Sequence, residues 1–552
     1  MSTKAVFALA SAVSLLILPP NELLAIRGLK TILALVCAQY VLQNLYRIFI
    51  YPHYLSPLRH LPGPRDHDFL IGHVRKQFAA GNPNEPYLSW VSQKWPDAPM
   101  IRYLSFLNSE VILVADIDVI NEVLVKQPYA FVKPGFFQRL LLPVIGRGLL
   151  FIEGEEHVHI RRKLAAPFSM ANLRKLVPVF RDKAEKLAGR IGREVGDGYE
   201  GAVVEVASKY TSATLDVIGV AVLGVELDNL DTTTPFHECY GRIFDPGPIG
   251  QIMMGLNALV PVRWIPVKEN RLYKEATHTI DREVRKVIRE RMSEFEAGQQ
   301  QNGGKGKTER RDLLTFMLEE DVIGPTASGA REEGWTEKNL LDHMMTFLAA
   351  GHETTATALT WATYVLTQHP DVQECLHVEI RDLLKEHPTP GYSEIEGLKQ
   401  LNNFCRELLR VYTPSIELPR QTAQDIVLKG MAIPKGTTIV VMPTLIHHHP
   451  RIWGEDASEF KPERWDRPGI DPHAMITFSA GSRNCIGKVF AMLELKILLV
   501  ELLRKFRFEA VGKKEKVELV NPGPLLKPKG GLKVRVVKAT NKSNRLSFFN
   551  AK

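Results

Sequence analysis

A lone cysteine near the C-terminal end, Cys485, constrains this chain more than any other feature of its sequence. It lies in the frame Phe-x-x-Gly-x-Arg-x-Cys-x-Gly, formed with Phe478, Gly481, Arg483 and Gly487, and a long apolar helical pattern follows at once. At the start of that helix, unpaired backbone N–H groups and the helix dipole favour a thiolate. A buried structural cysteine is the usual alternative, but packing alone gives no reason for this order of residues. The frame therefore predicts a thiolate that binds a metal centre.

This frame resembles the haem-binding signature of the cytochrome P450 monooxygenases. The resemblance implies that Cys485 is the axial ligand of the iron of haem b, iron protoporphyrin IX. Gly481 and Gly487 would let the backbone approach the flat macrocycle, and Phe478 would keep water from the sulfur. Arg483 would offer a fixed cation to a haem propionate. The implied fold is mainly α-helical with small β-sheets, in one large haem-centred domain.

A second part of the family pattern lies on a long predicted helix. Apolar residues recur at helical spacing from Thr336, an N-cap candidate, to a stop before Pro370, a length of about 48 Å. Gly351 in its middle predicts a close approach or a local opening of the hydrogen-bond ladder. The resemblance makes Glu353 and Thr354 catalytic residues that hold water and relay protons over the distal face of the haem. The alternative is a threonine that bonds back to the preceding turn and a solvated glutamate.

A third set of residues is predicted to hold the fold together. Glu407 and Arg410 are three residues apart and share a helix face, which by itself indicates only a weak surface ion pair. The segment Phe-Lys-Pro-Glu-Arg-Trp, which contains Arg464, is similar to the family segment whose arginine joins this pair. The resemblance therefore implies a buried structural triad behind the haem, in which loss of any member leaves an uncompensated charge.

Three further residues are candidates for binding the haem propionates. Arg420 occupies the place of a propionate-binding arginine in the family pattern, among strand-turn-strand signals. Upstream, His157 and Arg161 lie in a segment that resembles the family helix with Trp-x-x-x-Arg, and His157 stands in place of the tryptophan. Both ring types offer an N–H to a carboxylate, so both residues stay propionate contacts in our interpretation. The replacement leaves the orientation of that propionate open.

The long middle of the chain reads as a single unit. No internal repeat or linker divides residues 67–538, which we interpret as the catalytic domain, and residues 539–552 are predicted to be a flexible tail. Helical patterns dominate this unit. Strand signals are confined to residues 101–115, 416–442 and 518–537.

Composition limits the setting of the protein and its partners. The net charge of +8 suits the docking of an acidic electron donor or proximity to membrane lipid. No basic stripe interleaved with aromatic residues indicates a nucleic-acid partner. Five cysteines, odd in number and without pairable spacing, predict no disulfides and a body in a reducing cytosol. They are Cys37, Cys239, Cys375, Cys405 and Cys485.

The first 50 residues are predicted to anchor the protein in a membrane. Residues 5–18 are apolar but short for a span, and residues 31–50 reach membrane length but include polar side chains. Either segment, or a hairpin of both, is the anchor; a cleaved signal peptide is the alternative for the first. Residues 51–66 form a proline-rich hinge, and nearby arginines favour a cytosolic body. We expect the endoplasmic-reticulum membrane, with the catalytic domain facing the cytosol.

Together these resemblances imply a haem-thiolate monooxygenase that inserts one oxygen atom from dioxygen into an apolar small molecule. Electrons would come from NADPH through a separate cytochrome P450 reductase, since the sequence carries no flavin or nicotinamide fingerprint. The N-terminus and hinge resemble those of fungal members, an analogy that implies specialised-metabolite biosynthesis. Two alternatives stay open: a haem-thiolate isomerase or dehydratase that uses no dioxygen, and a non-catalytic haem sensor.

The sequence does not name the substrate. Residues 131–149, 253–259 and 415–418 are expected to form the pocket walls, and their side chains indicate an apolar cavity. Glu417 would either meet a substrate amine or face solvent, and solvent is the expectation.

Overall fold

The computed structural model describes residues 26–198, 200–232, 234–301, 312–322, 335–512, 517–521 and 523–539. The second apolar segment and all of the motifs lie within these ranges. The first apolar segment, residues 5–18, and the predicted tail beyond residue 539 lie outside the described residues.

Helices make up most of the described chain. The α-helices are α1 (Ile26–Leu45), α2 (Val74–Ala79), α3 (Glu85–Ser89), α4 (Ile117–Asn121), α5 (Gly135–Ile145), α6 (Gly154–Lys163), α7 (Met170–Val195), α8 (Ala207–Ile218), α9 (Pro235–Phe244), α10 (Gly247–Leu259), α11 (Lys268–Gln301), α12 (Leu313–Val322), α13 (Glu337–Gln368), α14 (Pro370–Glu386), α15 (Tyr392–Glu396), α16 (Lys399–Val411), α17 (Pro443–His447), α18 (Pro450–Trp453) and α19 (Lys488–Lys505). Short 3₁₀ or π segments are Tyr46–Leu55, Pro57–His60, Trp90–Lys94, Phe106–Asn108, Glu122–Lys126, Ala166–Phe168, Gly219–Leu223, Pro462–Asp466, Pro472–Ala474 and Gly481–Arg483.

The strands form small sheets. They are β1 (Met100–Leu104), β2 (Glu110–Val114), β3 (Phe131–Val132), β4 (Ala202–Glu205), β5 (Leu418–Thr422), β6 (Ile426–Leu428), β7 (Met431–Ile433), β8 (Thr438–Val441), β9 (Phe506–Glu509) and β10 (Lys533–Lys538). The largest sheet has the order β1-β2-β8-β5-β3, in which only β2 and β8 run parallel. The others are β4-β10-β9 and the hairpin β6-β7. The predicted strand regions hold seven of these strands, while β3, β4 and β9 lie outside them.

Helix α13 lies in the core and is buried on most of its surface. Its N-cap is Thr336, whose hydroxyl accepts the Asn339 N–H at 3.1 Å. It ends where His369 becomes extended ahead of Pro370, as a residue before proline tends to. The predicted helix and both of its ends are therefore confirmed.

The middle of α13 meets α8 at very short range. A Cβ added to Gly351 would lie 2.5 Å from Cδ1 of Ile218, so no larger residue fits without a shift of that side chain. The helix is continuous through this point. Of the two predicted reasons for the glycine, the close approach is confirmed.

The N-terminal helix is followed directly by the body of the protein. Within the described chain, one helix, Lys30–Leu55, is long and apolar enough to cross a membrane, with a mean hydropathy of 1.3 in its best window. Its final turns contact the β1–β2 hairpin: Asn108 donates to the Ile48 carbonyl at 3.1 Å, and Arg102 donates to the Pro52 carbonyl at 2.5 Å.

Candidate functional site

Most of the residues singled out in the sequence meet around one internal cavity of about 980 Å³. Its walls come from α5, α8, α10, α13, α19, strand β5 and the loop before α19, and all three expected wall segments contribute to them. Predicted site residues that line it are His157, Arg161, Glu353, Thr354, Arg420, Phe478, Arg483, Cys485 and Gly487. Four predicted residues lie elsewhere: Gly481, Glu407, Arg410 and Arg464.

The thiol of Cys485 lies at the cavity wall just before α19. Its backbone N–H donates to the Phe478 carbonyl at 2.8 Å, which closes the loop that carries it. Burial raises the pKa of the thiol, while the Gly487 N–H, Arg161 and Lys488 act in the opposite direction. The Gly487 N–H at the start of the helix thus favours the thiolate, as expected from the sequence, but burial outweighs it. A bound metal cation would supply the missing positive charge.

The two glycines of the frame differ in their surroundings. Gly481 has φ = +69°, and a Cβ there would lie 2.1 Å from the Leu124 carbonyl oxygen. Its role is to seat the loop against that backbone, and it does not border the cavity. Gly487 does border the cavity, and its nearest neighbour is the Cys485 sulfur at an ordinary contact distance of 3.9 Å from a built Cβ. Only Gly487 thus fits the predicted role of leaving room for a macrocycle.

Five cations line the cavity: Lys133, Arg139, Arg161, Arg420 and Arg483. Burial lowers the pKa of Arg420 to about 10, and it lowers the pKa of Lys133 well below its usual value, with help from Arg420 and Arg483. Arg483 forms an ion pair with Glu153 and donates to the Ile152 carbonyl at 2.6 Å. The group carries more positive than negative charge, so a bound dianion such as a dipropionate would stabilise it.

His157 and Arg161 lie one turn apart on α6, at the edge of the cavity. Burial lowers the pKa of His157 to about 4, so the ring is neutral at physiological pH, and its Nδ1 lies 2.9 Å from the Tyr129 hydroxyl. When Nδ1 accepts that hydroxyl proton, the ring N–H is on Nε2. Arg161 donates to the backbone carbonyl of Asn484 at 2.8 Å and thereby supports the cysteine loop as well as the cavity edge.

The acid–alcohol pair lies on α13. Glu353 is buried, and its carboxylate forms an ion pair with Lys527 at 3.5 Å and lies 3.8 Å from His352 Nε2. The Thr354 hydroxyl donates to the Ala350 carbonyl at 2.7 Å, which is the backbone bond considered as the structural alternative. That bond uses the proton of the hydroxyl and leaves its oxygen lone pairs to accept from a ligand in the cavity.

The predicted triad is assembled in the core. Glu407 and Arg410 form a two-bond ion pair, with N···O distances of 2.9 and 2.8 Å, and both side chains are 0% exposed. Arg464 lies 3.5 Å from Glu407 and also pairs with Asp456 at 2.9 Å. Trp465 adds an N–H to Glu407 at 3.1 Å. The network joins α16 to the segments on either side of α18.

Sequence reasoning missed several charged groups at or next to the cavity, among them Lys133, Lys527 and Glu417. Lys133 follows a two-residue strand and Lys527 lies in an irregular C-terminal segment, so neither belonged to a recognisable motif. Glu417 was expected to face solvent, and this is wrong: it lines the cavity. The sequence did contain an indication of this position, because Glu417 lies within residues 415–418, which were expected to form part of the pocket wall.

Comparisons with known proteins agree with this geometry. The family model described as Cytochrome P450 matches residues 62–536. The chain is 33% identical over 508 residues to cytochrome P450 monooxygenase sphH of Aspergillus fumigatus, which covers 88% of this chain and 90% of that relative. It is 31% identical over 522 residues to cytochrome P450 monooxygenase FSL4 of Gibberella zeae, with coverage of 89% and 90%.

Among solved structures, the crystal structure of the cytochrome P450DA haem domain superposes with a TM-score of 0.71 at 24% sequence identity. The match covers 87% of this chain and 98% of that chain, and it concerns the fold. The predicted fold class, mainly helical with small sheets, is confirmed. From the span of the family model, the identity to fungal relatives and this shared fold, it follows that the chain belongs to the cytochrome P450 family and is a monooxygenase enzyme.

Proposed function

We propose that this enzyme inserts one oxygen atom from dioxygen into an apolar small molecule bound in the cavity. The observation that carries the proposal is that Cys485 and the Glu353–Thr354 pair line the same largely apolar space. Electrons come from NADPH through a separate reductase, and the net charge of +8 suits an acidic donor. The fungal relatives support a place in specialised-metabolite biosynthesis.

The test is to co-express the chain with a cytochrome P450 reductase, supply NADPH and isotopically heavy dioxygen, and analyse products from candidate precursors by mass spectrometry. A product with one heavy oxygen atom supports the proposal. A product formed without dioxygen would instead indicate the isomerase or dehydratase. The cavity-lining acid–alcohol pair argues against that alternative, because a rearrangement needs no proton supply.

The cavity fits haem b. Cys485 would hold the iron, and Lys133, Arg161, Arg420 and Arg483 would face the propionates, whose two negative charges offset the local excess of buried cations. When bound, the haem supplies the redox-active iron at which dioxygen is reduced. His157 would offer its Nε2–H at the same edge.

The residues on α13 would position the protons that this reduction consumes. Thr354 offers lone pairs to a water in the cavity, and the buried Glu353 carboxylate lies one residue away. Lys527, whose side chain is 21% exposed, pairs with that carboxylate at 3.5 Å and so connects it to the protein surface. The proposed proton path runs from solvent through Lys527 and Glu353 to a water held by Thr354.

Replacing Thr354 with alanine is expected to spare haem binding but uncouple NADPH use from product formation. A positioned proton-transfer group contributes about 10²–10⁴-fold in rate. We therefore expect product per NADPH to fall at least about tenfold, with hydrogen peroxide released instead. The matched control is Thr360→Ala, since the Thr360 hydroxyl also bonds back one turn, at 2.8 Å, but lies outside the cavity. If Thr354→Ala forms as much product per NADPH as wild type, Thr354 has only a structural role.

The N-terminal helix would hold the enzyme at the endoplasmic-reticulum membrane, with residues 67–538 as the catalytic domain in the cytosol. Support comes from the length and apolarity of Lys30–Leu55 and from its exposure, since none of its best window is buried. A helix that packed against the body would be covered on one face.

Removal of residues 1–45 is expected to move much of the protein from the membrane fraction to the soluble fraction with its haem content unchanged. The cut spares Ile48 and Pro52, which contact the body. Exposed side chains that remain, among them Tyr46, Ile50 and Tyr54, would retain a part of the protein at the membrane. Fractionation in high salt is the measurement. Unchanged membrane retention would place the anchor elsewhere.

A further inference from the structure

One acidic side chain that lines the cavity has no role in the proposed reaction. Glu417 lies just before β5 and is only partly covered by protein atoms because it forms part of the cavity wall. Within the described ranges, its carboxylate makes no hydrogen bond shorter than 3.5 Å and no ion pair shorter than 4.0 Å. Burial raises its pKa to about 7. An unpaired carboxylate in such a place is destabilising unless something that enters the cavity compensates it.

The neighbours of Glu417 favour a cation as that compensation. The phenols of Tyr87 and Tyr103 lie close enough for its charge to contribute to raising their pKa values, and burial keeps both neutral. Their rings pack edge to face at 5.8 Å and also line the cavity. A positive charge at this place would be attracted both by the carboxylate, as an ion pair, and by the quadrupoles of the aromatic rings.

The cavity's other charges do not already satisfy Glu417. The only other acidic residue among the described ones that line the cavity is Glu353, which has Lys527. The lining cations Lys133, Arg139, Arg161, Arg420 and Arg483 form no ion pair with Glu417. Arg139 donates instead to the Ala258 carbonyl at 2.7 Å, and the other four would face the haem propionates. Because the described residues give Glu417 no partner cation, one that came with the substrate would find this carboxylate free to pair.

We propose that the substrate is an apolar molecule with one positively charged nitrogen, and that Glu417 binds this nitrogen. The inference rests on the proposed function, because it concerns what occupies the same cavity. It also has a consequence for selectivity. Fixing the nitrogen at the β5 wall holds the rest of the molecule along the apolar walls that lead to Cys485 and α13, so the oxidised carbon stands at a set separation from the nitrogen.

The test compares two probes of nearly equal shape on the full-length holoenzyme. Decanamidine carries a planar cationic head that can donate two N–H bonds to a carboxylate, and decanamide is its neutral counterpart. The amidinium has no free lone pair for iron, so a change in haem absorbance reports occupancy of the cavity. Affinities are measured by calorimetry and by that absorbance change, for wild type, Glu417→Gln and Glu269→Gln. The last removes one partly exposed acidic charge away from the cavity.

We expect wild type to bind the amidine roughly 10- to 100-fold more tightly than the amide, the range of a hydrogen-bonded charged pair. Glu417→Gln should abolish this preference with decanamide affinity little changed, and Glu269→Gln should keep it. Equal affinity of wild type for the two probes would overturn the proposal, as would an undiminished preference in Glu417→Gln. If wild type prefers the amidine but incorporates no heavy oxygen in the assay described above, the proposed oxygen insertion is refuted and the proposal for Glu417 stands.

Discussion

Replacing Cys485 with alanine is expected to abolish the strongly red-shifted absorbance band that a haem-thiolate enzyme shows when reduced and bound to carbon monoxide. The effect should be complete. Of the five cysteines, Cys485 is the one that lines the cavity, whereas Cys239 and Cys405 are buried in the core. No other described thiol can take its place.

The measurement is the absorbance spectrum of the reduced protein with and without carbon monoxide, together with NADPH-dependent product formation. Cys375→Ala is the matched control, because that thiol is exposed and distant from the cavity wall. It should leave the band and the activity unchanged. Retention of the band in Cys485→Ala would refute the ligand assignment.

Replacing Glu407 with alanine is expected to produce the largest loss of stability. The substitution leaves the Arg410 guanidinium 0% exposed, with backbone carbonyls of His447 and Ala457 as partners but, in the described part of the chain, no counter-charge at bonding distance. Breaking a buried ion pair in this way costs about 3–5 kcal/mol. Because the free energy of unfolding of a native protein is typically only about 5–15 kcal/mol, the variant should retain little haem at physiological temperature.

Urea unfolding followed by circular dichroism, with haem content per chain, checks this expectation. The control is Asp382→Ala, which removes an ion pair of the same i, i+3 spacing whose side chains are 67% and 59% exposed. Solvent screens such a pair, so no measurable change is expected. If both variants unfold at the wild-type urea concentration, the network does not hold the fold together.

The sequence predicted those features that depend on residues close together in the chain. The cysteine frame, the pair Glu353–Thr354 and the ends of α13 could all be read from a few consecutive positions, because caps, helical period and loop glycines act locally. The reason for Gly481 could not be read in this way, since it depends on the Leu124 carbonyl, far away in the chain.

The sequence-based prediction failed mainly for charged residues at or next to the cavity wall. Lys133 and Glu417 line the cavity, and Lys527 pairs with Glu353, which lines it. The three come from separate segments, so the role of each depends on residues that only the fold brings close. Lys527 lies 174 positions from Glu353 in the chain and 3.5 Å from it in space. Short sequence patterns carry no information on such pairs, so an isolated acidic residue is assigned to solvent by default.

The side chains that form the cavity wall are not the ones that form the buried ion-pair network. Helices α5 and α10 and the stretch at Glu417 form wall, while the Glu407–Arg410 network lies outside it. A mutation in the wall therefore leaves that ion pair intact and changes chiefly which molecules are accepted. This separation lets a gene duplicate acquire new substrates without first passing through unstable intermediates, because substrate choice and stability depend on different side chains. This holds even on α16, where Leu409 lines the cavity between Glu407 and Arg410.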